Sequence, residues 1–219
     1  MPSYRLFYSP GACSLAPHIA LEEIGASYEG VRVTIAEGLN QRPEYLAVNP
    51  RGRVPALAIR DGRAVGEERI LTEAMAIMVY LARVHPEANL LPTDTEALVR
   101  ALEWMGWLGS TMHQTGARPV FRSERLVADP AAAPSVAQRG RETFGSGLAD
   151  IEQRLRGRAF ALGERYSLVD AYLLVFFRWG NRMGFRLREN FPEFTRVMDA
   201  VRARPAVRRV VEQEQIELE

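Results

Sequence analysis

The apolar pattern changes kind near residue 90, and this constrains the fold more than any other feature of the chain. Before that point β-rich runs alternate with helical stretches; after it every periodic segment is helical. Tyr4 to Tyr8 is a β-rich run closed by Ser9-Pro10-Gly11, a turn signal because proline presets φ and glycine tolerates the angles that follow. From Ser14 the spacing becomes helical, with Leu15, Ala16, Ile19, Ala20 and Ile24 on one face, Pro17 in the first turn and Gly25 at the C-terminal cap. Val31, Val33 and Ile35 alternate as a second strand. A polar loop from Glu37 to Arg42 and a short helical piece from Pro43 to Val48 follow. Ala56 to Arg60 and Arg63 to Gly66 flank Asp61-Gly62 and predict an antiparallel hairpin. Thr72 and Glu73 open a helix carrying Ala74, Ile77, Met78 and Leu81 on its apolar face, which runs out near His85-Pro86.

The stretch 85–94, with two prolines and little periodicity, reads as a linker between an α/β domain of residues 1–84 and an all-α domain of residues 95–219. Helical patterns in the second part run from Thr95 to Gly116, Pro134 to Arg156, Leu168 to Met183 and Pro192 to Arg204, with a short last helix after Pro205. Ser167-Leu168-Val169-Asp170 precedes an apolar run and has the spacing of a capping box, a folding device.

Charge excludes some functions. The net charge is +1 and lysine is absent, so all 28 basic residues are arginines, scattered among 27 acids. Nucleic-acid binding needs basic groups clustered on one face, and only Arg202, Arg204, Arg208 and Arg209 approach that; they read as a solvated helix face. A single cysteine rules out an internal disulfide and, with no leader-like or bilayer-length apolar stretch, points to a reducing, cytoplasmic setting and no membrane. His18, His85 and His113 share no metal-ligand spacing with Cys13, so no metal is expected, and no phosphate-binding glycine fingerprint occurs.

Cys13 follows the turn at the start of the first helix, where unpaired backbone N–H groups favour a thiolate over a thiol of ordinary pKa, about 8.5. The turn is expected to leave its sulfur accessible, and without a second cysteine any partner thiol must come from outside. In Asn49-Pro50-Arg51-Gly52-Arg53-Val54-Pro55-Ala56-Leu57 a proline stands directly before a strand. A cis Val54-Pro55 bond would leave the N–H and C=O of Val54 unpaired for strand-like pairing with a peptide ligand; a trans loop proline is the alternative. Glu73 either complements the helix dipole or receives a ligand ammonium while neighbouring N–H groups hold a carboxylate.

Together these motifs carry a resemblance. Tyr8-Ser9-Pro10-Gly11-Ala12-Cys13-Ser14 with Pro17-His18 resembles the opening of the beta class of bacterial glutathione transferases; Asn49 to Leu57, Leu71-Thr72-Glu73 and Ser167 to Asp170 resemble further signatures of that superfamily, in order. The resemblance implies a thioredoxin-like N-terminal domain followed by an all-α C-terminal domain, glutathione as co-substrate, and a homodimer. It implies catalytic roles for Cys13 and His113, glutathione binding by Cys13, Arg53, Val54, cis-Pro55, Glu73 and Ala74, and an acceptor pocket from Tyr8, His113, Phe121, Trp179 and Met183. Ala74 departs from the serine or glycine usual after the acid, which removes a hydroxyl contact but keeps the backbone N–H. The lysine often offered by the loop after the second strand is missing, leaving Glu37, Asn40, Gln41 and Arg42. The implied function is detoxifying transfer of glutathione to a small electrophile, or exchange with a mixed disulfide, with the acceptor unspecified; a non-catalytic glutathione or apolar-ligand binding protein is the alternative.

Overall fold

The computed structural model describes residues 3–60, 62 and 67–218. They pack into two compact units, one of residues to Leu91 with Val201–Glu217, the other of Pro92–Ala200 with Leu218.

In the first unit β1 (Ser3–Tyr8), α1 (Leu15–Glu23), β2 (Tyr28–Arg32), α2 (Pro43–Leu46), β3 (Ala56–Arg60), β4 (Arg69–Thr72) and α3 (Ala74–Val84) build a sheet of order β2-β1-β3-β4. β1 pairs in parallel with β2, which demands a crossover, and α1 supplies it; β3 and β4 are antiparallel neighbours. Strand alternation splits the core. Tyr8 packs on His18 of α1 and Tyr4 bonds His85 after α3, whereas Phe7 faces the other way into a cluster with Val33, Tyr45, Val54, Ala56 and Ala58.

Two strands differ from expectation. β2 lies earlier than the Val31–Ile35 alternation, because the Val33 N–H bonds the Tyr8 carbonyl at 2.6 Å and the chain then turns into a 3-10 turn, Ile35–Glu37. The next strand in sequence to pair with β3 among the described residues is β4; the expected strand at Arg63 to Gly66, with Asp61, lies outside the described residues.

The second unit contains no strand among its described residues beyond an isolated Phe160–Gly163 bridge. α4 (Thr95–Trp107), capped by the Asp94 carboxylate at 2.9 Å from the Ala97 N–H, runs on as a π-helix, Leu108–Ala117, into α5 (Arg118–Arg122). α6 (Ala133–Leu155), α7 (Leu168–Arg182), α8 (Leu187–Asn190) and α9 (Pro192–Arg202) follow. Gly140 and Gly147, seven apart on α6, allow the π-helix to approach: a Cβ at Gly140 would lie 2.7 Å from the Gly116 carbonyl oxygen, and one at Gly147 would fall inside the Met112 sulfur. No described helix is long and apolar enough to cross a membrane.

α10 (Pro205–Glu214), read from sequence as part of the helical domain, packs on α1. Arg204 forks onto Glu23 at 2.5 and 2.8 Å, and Arg209 bonds Glu22 at 2.6 Å. Two of the four arginines read as a solvated face therefore clamp the chain end to the first unit, an ion pairing across nearly the whole sequence that periodicity does not reveal.

Candidate functional site

The Cys13 loop is fixed from both ends. Ser9 and Ser14 exchange hydrogen bonds at 3.1 Å, the Ala12 N–H bonds the Ser9 carbonyl at 3.0 Å, and Gly11 takes φ +64°, which glycine adopts without penalty. From α10 the Glu214 carboxylate, 1% exposed, accepts the Gly11 N–H at 2.7 Å and meets His18 Nδ1 at 2.8 Å; His18 Nε2 lies 2.9 Å from the Tyr28 hydroxyl. Glu214 had no sequence signal beyond its place on an amphipathic helix. Glu214→Ala leaves two buried groups without their acceptor, so we expect a loss of roughly 3–5 kcal/mol in denaturant unfolding. A loss below about 1 kcal/mol would mean that this contact contributes little to the fold.

Cys13 differs from expectation in both access and charge. Its side chain is buried, at 8% exposure, and its thiol donates to the Val54 carbonyl oxygen at 3.4 Å. Burial pushes the thiol up to about 12; Glu73 raises it further, while neighbouring backbone N–H groups and Arg53 pull it down. The helix-end amides do favour the thiolate, but desolvation outweighs them, so Cys13 rests as a thiol.

The Val54-Pro55 bond is cis. Of the two Val54 groups expected to be free, the carbonyl is occupied by Cys13, whereas the N–H has no hydrogen-bond partner among the described residues. The loop before it is tightly braced: the Arg53 carbonyl accepts from Tyr45 Oη and Asn49 Nδ2, both at 2.6 Å, and the Gly52 carbonyl from Asn40 Nδ2 at 2.7 Å and Gln41 Nε2 at 3.4 Å. Asn40 and Gln41 thus serve the loop itself, and of the four loop residues Glu37 and Arg42 remain exposed without such a task.

Glu73 precedes α3 at φ 70°, ψ 123°, a conformation costing a residue with a Cβ about 1–3 kcal/mol. Its carbonyl accepts the Ile77 N–H at 3.0 Å, but its carboxylate makes no cap bond and is exposed. The dipole role is therefore not accompanied by side-chain capping. Arg53 is also exposed, Ala74 is buried, and the charges of Glu73 and Arg53 both act on Cys13. Cys13, Arg53, Val54, Glu73 and Ala74 are thus residues of one neighbourhood in the first unit.

The second unit gathers the aromatic candidates. His113 meets Trp179 at 4.9 Å between ring centres, Phe121 meets Trp179 edge-on at 5.8 Å, and the Met183 carbonyl accepts from Arg141 at 2.5 Å. His113 sits within the π-helix, its carbonyl accepting the Arg118 N–H five residues on, a register common at functional sites. Tyr8 belongs to the first unit, with its ring 4.9 Å from that of His18. No His, Cys, Asp and Glu grouping able to hold a metal occurs among the described residues.

A sheet with a cis-proline strand, an open Val54 N–H and an acid before α3, followed by a helical part, defines a class, and comparison with known proteins identifies it. The family model "Glutathione S-transferase, N-terminal domain" matches residues 2–83, and "Glutathione S-transferase, C-terminal domain" matches residues 111–205. Glutathione S-transferase GstA of Escherichia coli O157:H7 is 34% identical over 205 residues, covering 93% of this chain and 94% of that one. A crystal structure of a glutathione transferase homolog from Sulfitobacter with bound glutathione superposes with a TM-score of 0.89 at 34% identity, covering 99% of this chain and 100% of that one. The beta class glutathione S-transferase of Sphingomonas chungbukensis gives a TM-score of 0.79 at 30% identity, over 96% and 98% of the two chains. The chain belongs to the glutathione S-transferase family, with its thioredoxin-like N-terminal and helical C-terminal parts.

Proposed function

We propose that the chain transfers glutathione to small electrophiles, with residues 1–84 holding glutathione and the helical part beyond the 85–94 linker supplying the acceptor pocket. Val54 offers its N–H to the cysteinyl backbone of glutathione, and Glu73 faces the γ-glutamyl ammonium. The Ala74 N–H takes the γ-glutamyl carboxylate, and Arg53 adds a cation for a glutathione carboxylate. The supporting observation is the unpaired Val54 N–H beside the Cys13 thiol.

Glutathione gives up its thiol proton to solvent, assisted by His113. Its sulfur then forms a C–S bond to the electrophilic carbon, and the leaving group departs with its bonding electrons. When glutathione binds, the Cys13 thiol turns its single S–H from the Val54 carbonyl to the glutathione sulfur and so lowers the cost of its charge. Exchange chemistry would require Cys13 itself to ionise, attack a mixed disulfide and expel a thiolate, which its burial disfavours. Phe121, Trp179, Met183 and His113, all of the second unit, supply the acceptor side.

Glu73→Gln is the test of the glutathione site. Losing a charge-assisted bond worth about 1.5–3 kcal/mol should weaken glutathione binding at least several-fold by calorimetry. Unchanged affinity in the folded variant would leave Glu73 as a helix-end charge. We also read the chain as a cytoplasmic homodimer; exposed Ile70 on β4 and Met75 on α3 support the dimer. Sedimentation at twice 24.6 kDa would fit this reading, and at 24.6 kDa would refute it.

A further inference from the structure

Acid is missing from the part of the second unit that carries the aromatic candidates. Between Trp104 and Ser123, and again between Ala171 and Arg188, the sequence has no Asp or Glu, yet these stretches hold Arg118, Arg122, Arg178, Arg182, Arg186 and Arg188. The two stretches meet where Phe121 packs edge-on against Trp179. Several arginines of the unit are matched by acids: Arg139 with Glu142, Arg154 with Asp150, Arg196 with Glu193, and, from the acid-free stretches themselves, Arg186 with Glu189 and Arg188 with Asp199, whereas Arg141 and Arg158 bond backbone carbonyls instead. Arg118, Arg122 and Arg182, around Phe121, are not matched by acids among the described residues. The Arg182 guanidinium lies 5.9 Å from the Phe121 ring centre and has no carboxylate partner among the described residues. Arg122 bonds only the Phe121 carbonyl, at 3.0 Å, and Arg118 only the Gln114 side-chain oxygen, at 3.3 Å.

A partly exposed Phe121 ring, backed by buried Trp179 and flanked by guanidinium groups whose charge no protein carboxylate balances, matches a planar conjugated molecule bearing a carboxylate: the ring takes the π-system and a guanidinium fork takes the two oxygens. We propose that the acceptor site selects conjugated electrophiles carrying a carboxylate, with Arg122 and Arg182 as the residues that recognise it. This assignment rests on the transferase reading for its place in the reaction, but the recognition itself belongs to the second unit.

The test separates the two. Binding of 4-nitrobenzoate and of its neutral counterpart 4-nitrobenzamide to the full chain is measured by calorimetry. The acid is expected to bind at least about tenfold more tightly at low salt, the preference shrinking as salt rises from about 0.05 to 0.5 M. In the Arg122→Gln/Arg182→Gln double variant the preference should fall below about twofold, while Arg186→Gln, whose arginine is already paired with Glu189, should retain it. Equal binding of acid and amide by the wild type, or a preference that survives the double variant, overturns the proposal. In parallel, glutathione conjugation of 4-chloro-3-nitrobenzoate and its methyl ester is followed. The acid should have the higher kcat/KM in the wild type, and the ratio should collapse in the double variant. A wild type that binds the acid preferentially but conjugates neither compound leaves the recognition standing and removes the transferase reading instead.

Discussion

In the ligand-free protein Cys13 is expected to react with iodoacetamide at pH 8 at least roughly a hundredfold more slowly than free cysteine. Only thiolate reacts, and a thiol pushed up to about 12 leaves a far smaller ionised fraction at that pH than one at its ordinary value of about 8.5. Burial slows access as well. The sign of the neighbouring charges gives a second check: Glu73→Gln removes a like charge and should speed alkylation, whereas Arg53→Gln removes a stabilising cation and should slow it further. Glu73→Gln should therefore weaken glutathione binding and sensitise Cys13 at once, a pairing that general loosening of the fold does not produce with Arg53→Gln moving the opposite way. Alkylation as fast as free cysteine would mean that the Cys13–Val54 bond opens readily, and would favour exchange through a Cys13 mixed disulfide instead.

The second large effect concerns Asp170, buried in the first turn of α7. Its carboxylate accepts from the Ala161 N–H at 2.7 Å, the Ser167 N–H at 2.8 Å and the Ser167 hydroxyl at 3.0 Å. Asp170→Ala strands these donors in the interior and should cost about 3–5 kcal/mol, measured by urea unfolding. Burial also raises its carboxyl from 3.8 to about 6, more than the three bonds lower it. The folded state then holds the proton more tightly than the unfolded one. Relative to Asp170→Asn, stability from this group is fully present below about pH 4 and is lost as pH rises through about 6, by roughly 2–4 kcal/mol. A wild-type profile that instead gains stability relative to Asp170→Asn between pH 4 and 6 would reverse the assigned sign.

What the sequence discloses follows the range of the interaction. The strand–turn–helix around Cys13, Gly25 as a helix stop at φ +63° and the Ser167–Asp170 cap are local, and residue type alone marks them. The state of Cys13 is not local: the carbonyl that binds its thiol comes from Val54, 41 residues on, and the burial from the folded loop, so a helix-end argument alone points to a thiolate. The same holds for Glu214, whose partner Gly11 lies 203 residues away. Glu73 hides its left-handed backbone because a residue with a Cβ gives no warning of positive φ. The π-helix at His113 keeps an ordinary helical composition, so its changed register cannot be read from spacing.

Binding of glutathione with ionisation of its sulfur can be followed directly. Because Cys13 is held as a thiol, thiolate absorbance near 240 nm that develops when glutathione is added at pH 6.5 belongs to the bound tripeptide. The band is expected to saturate with the same dissociation constant as calorimetric binding and to weaken in parallel with affinity in Glu73→Gln. Saturating glutathione that gives no thiolate band, or no measurable binding, would contradict the transferase reading.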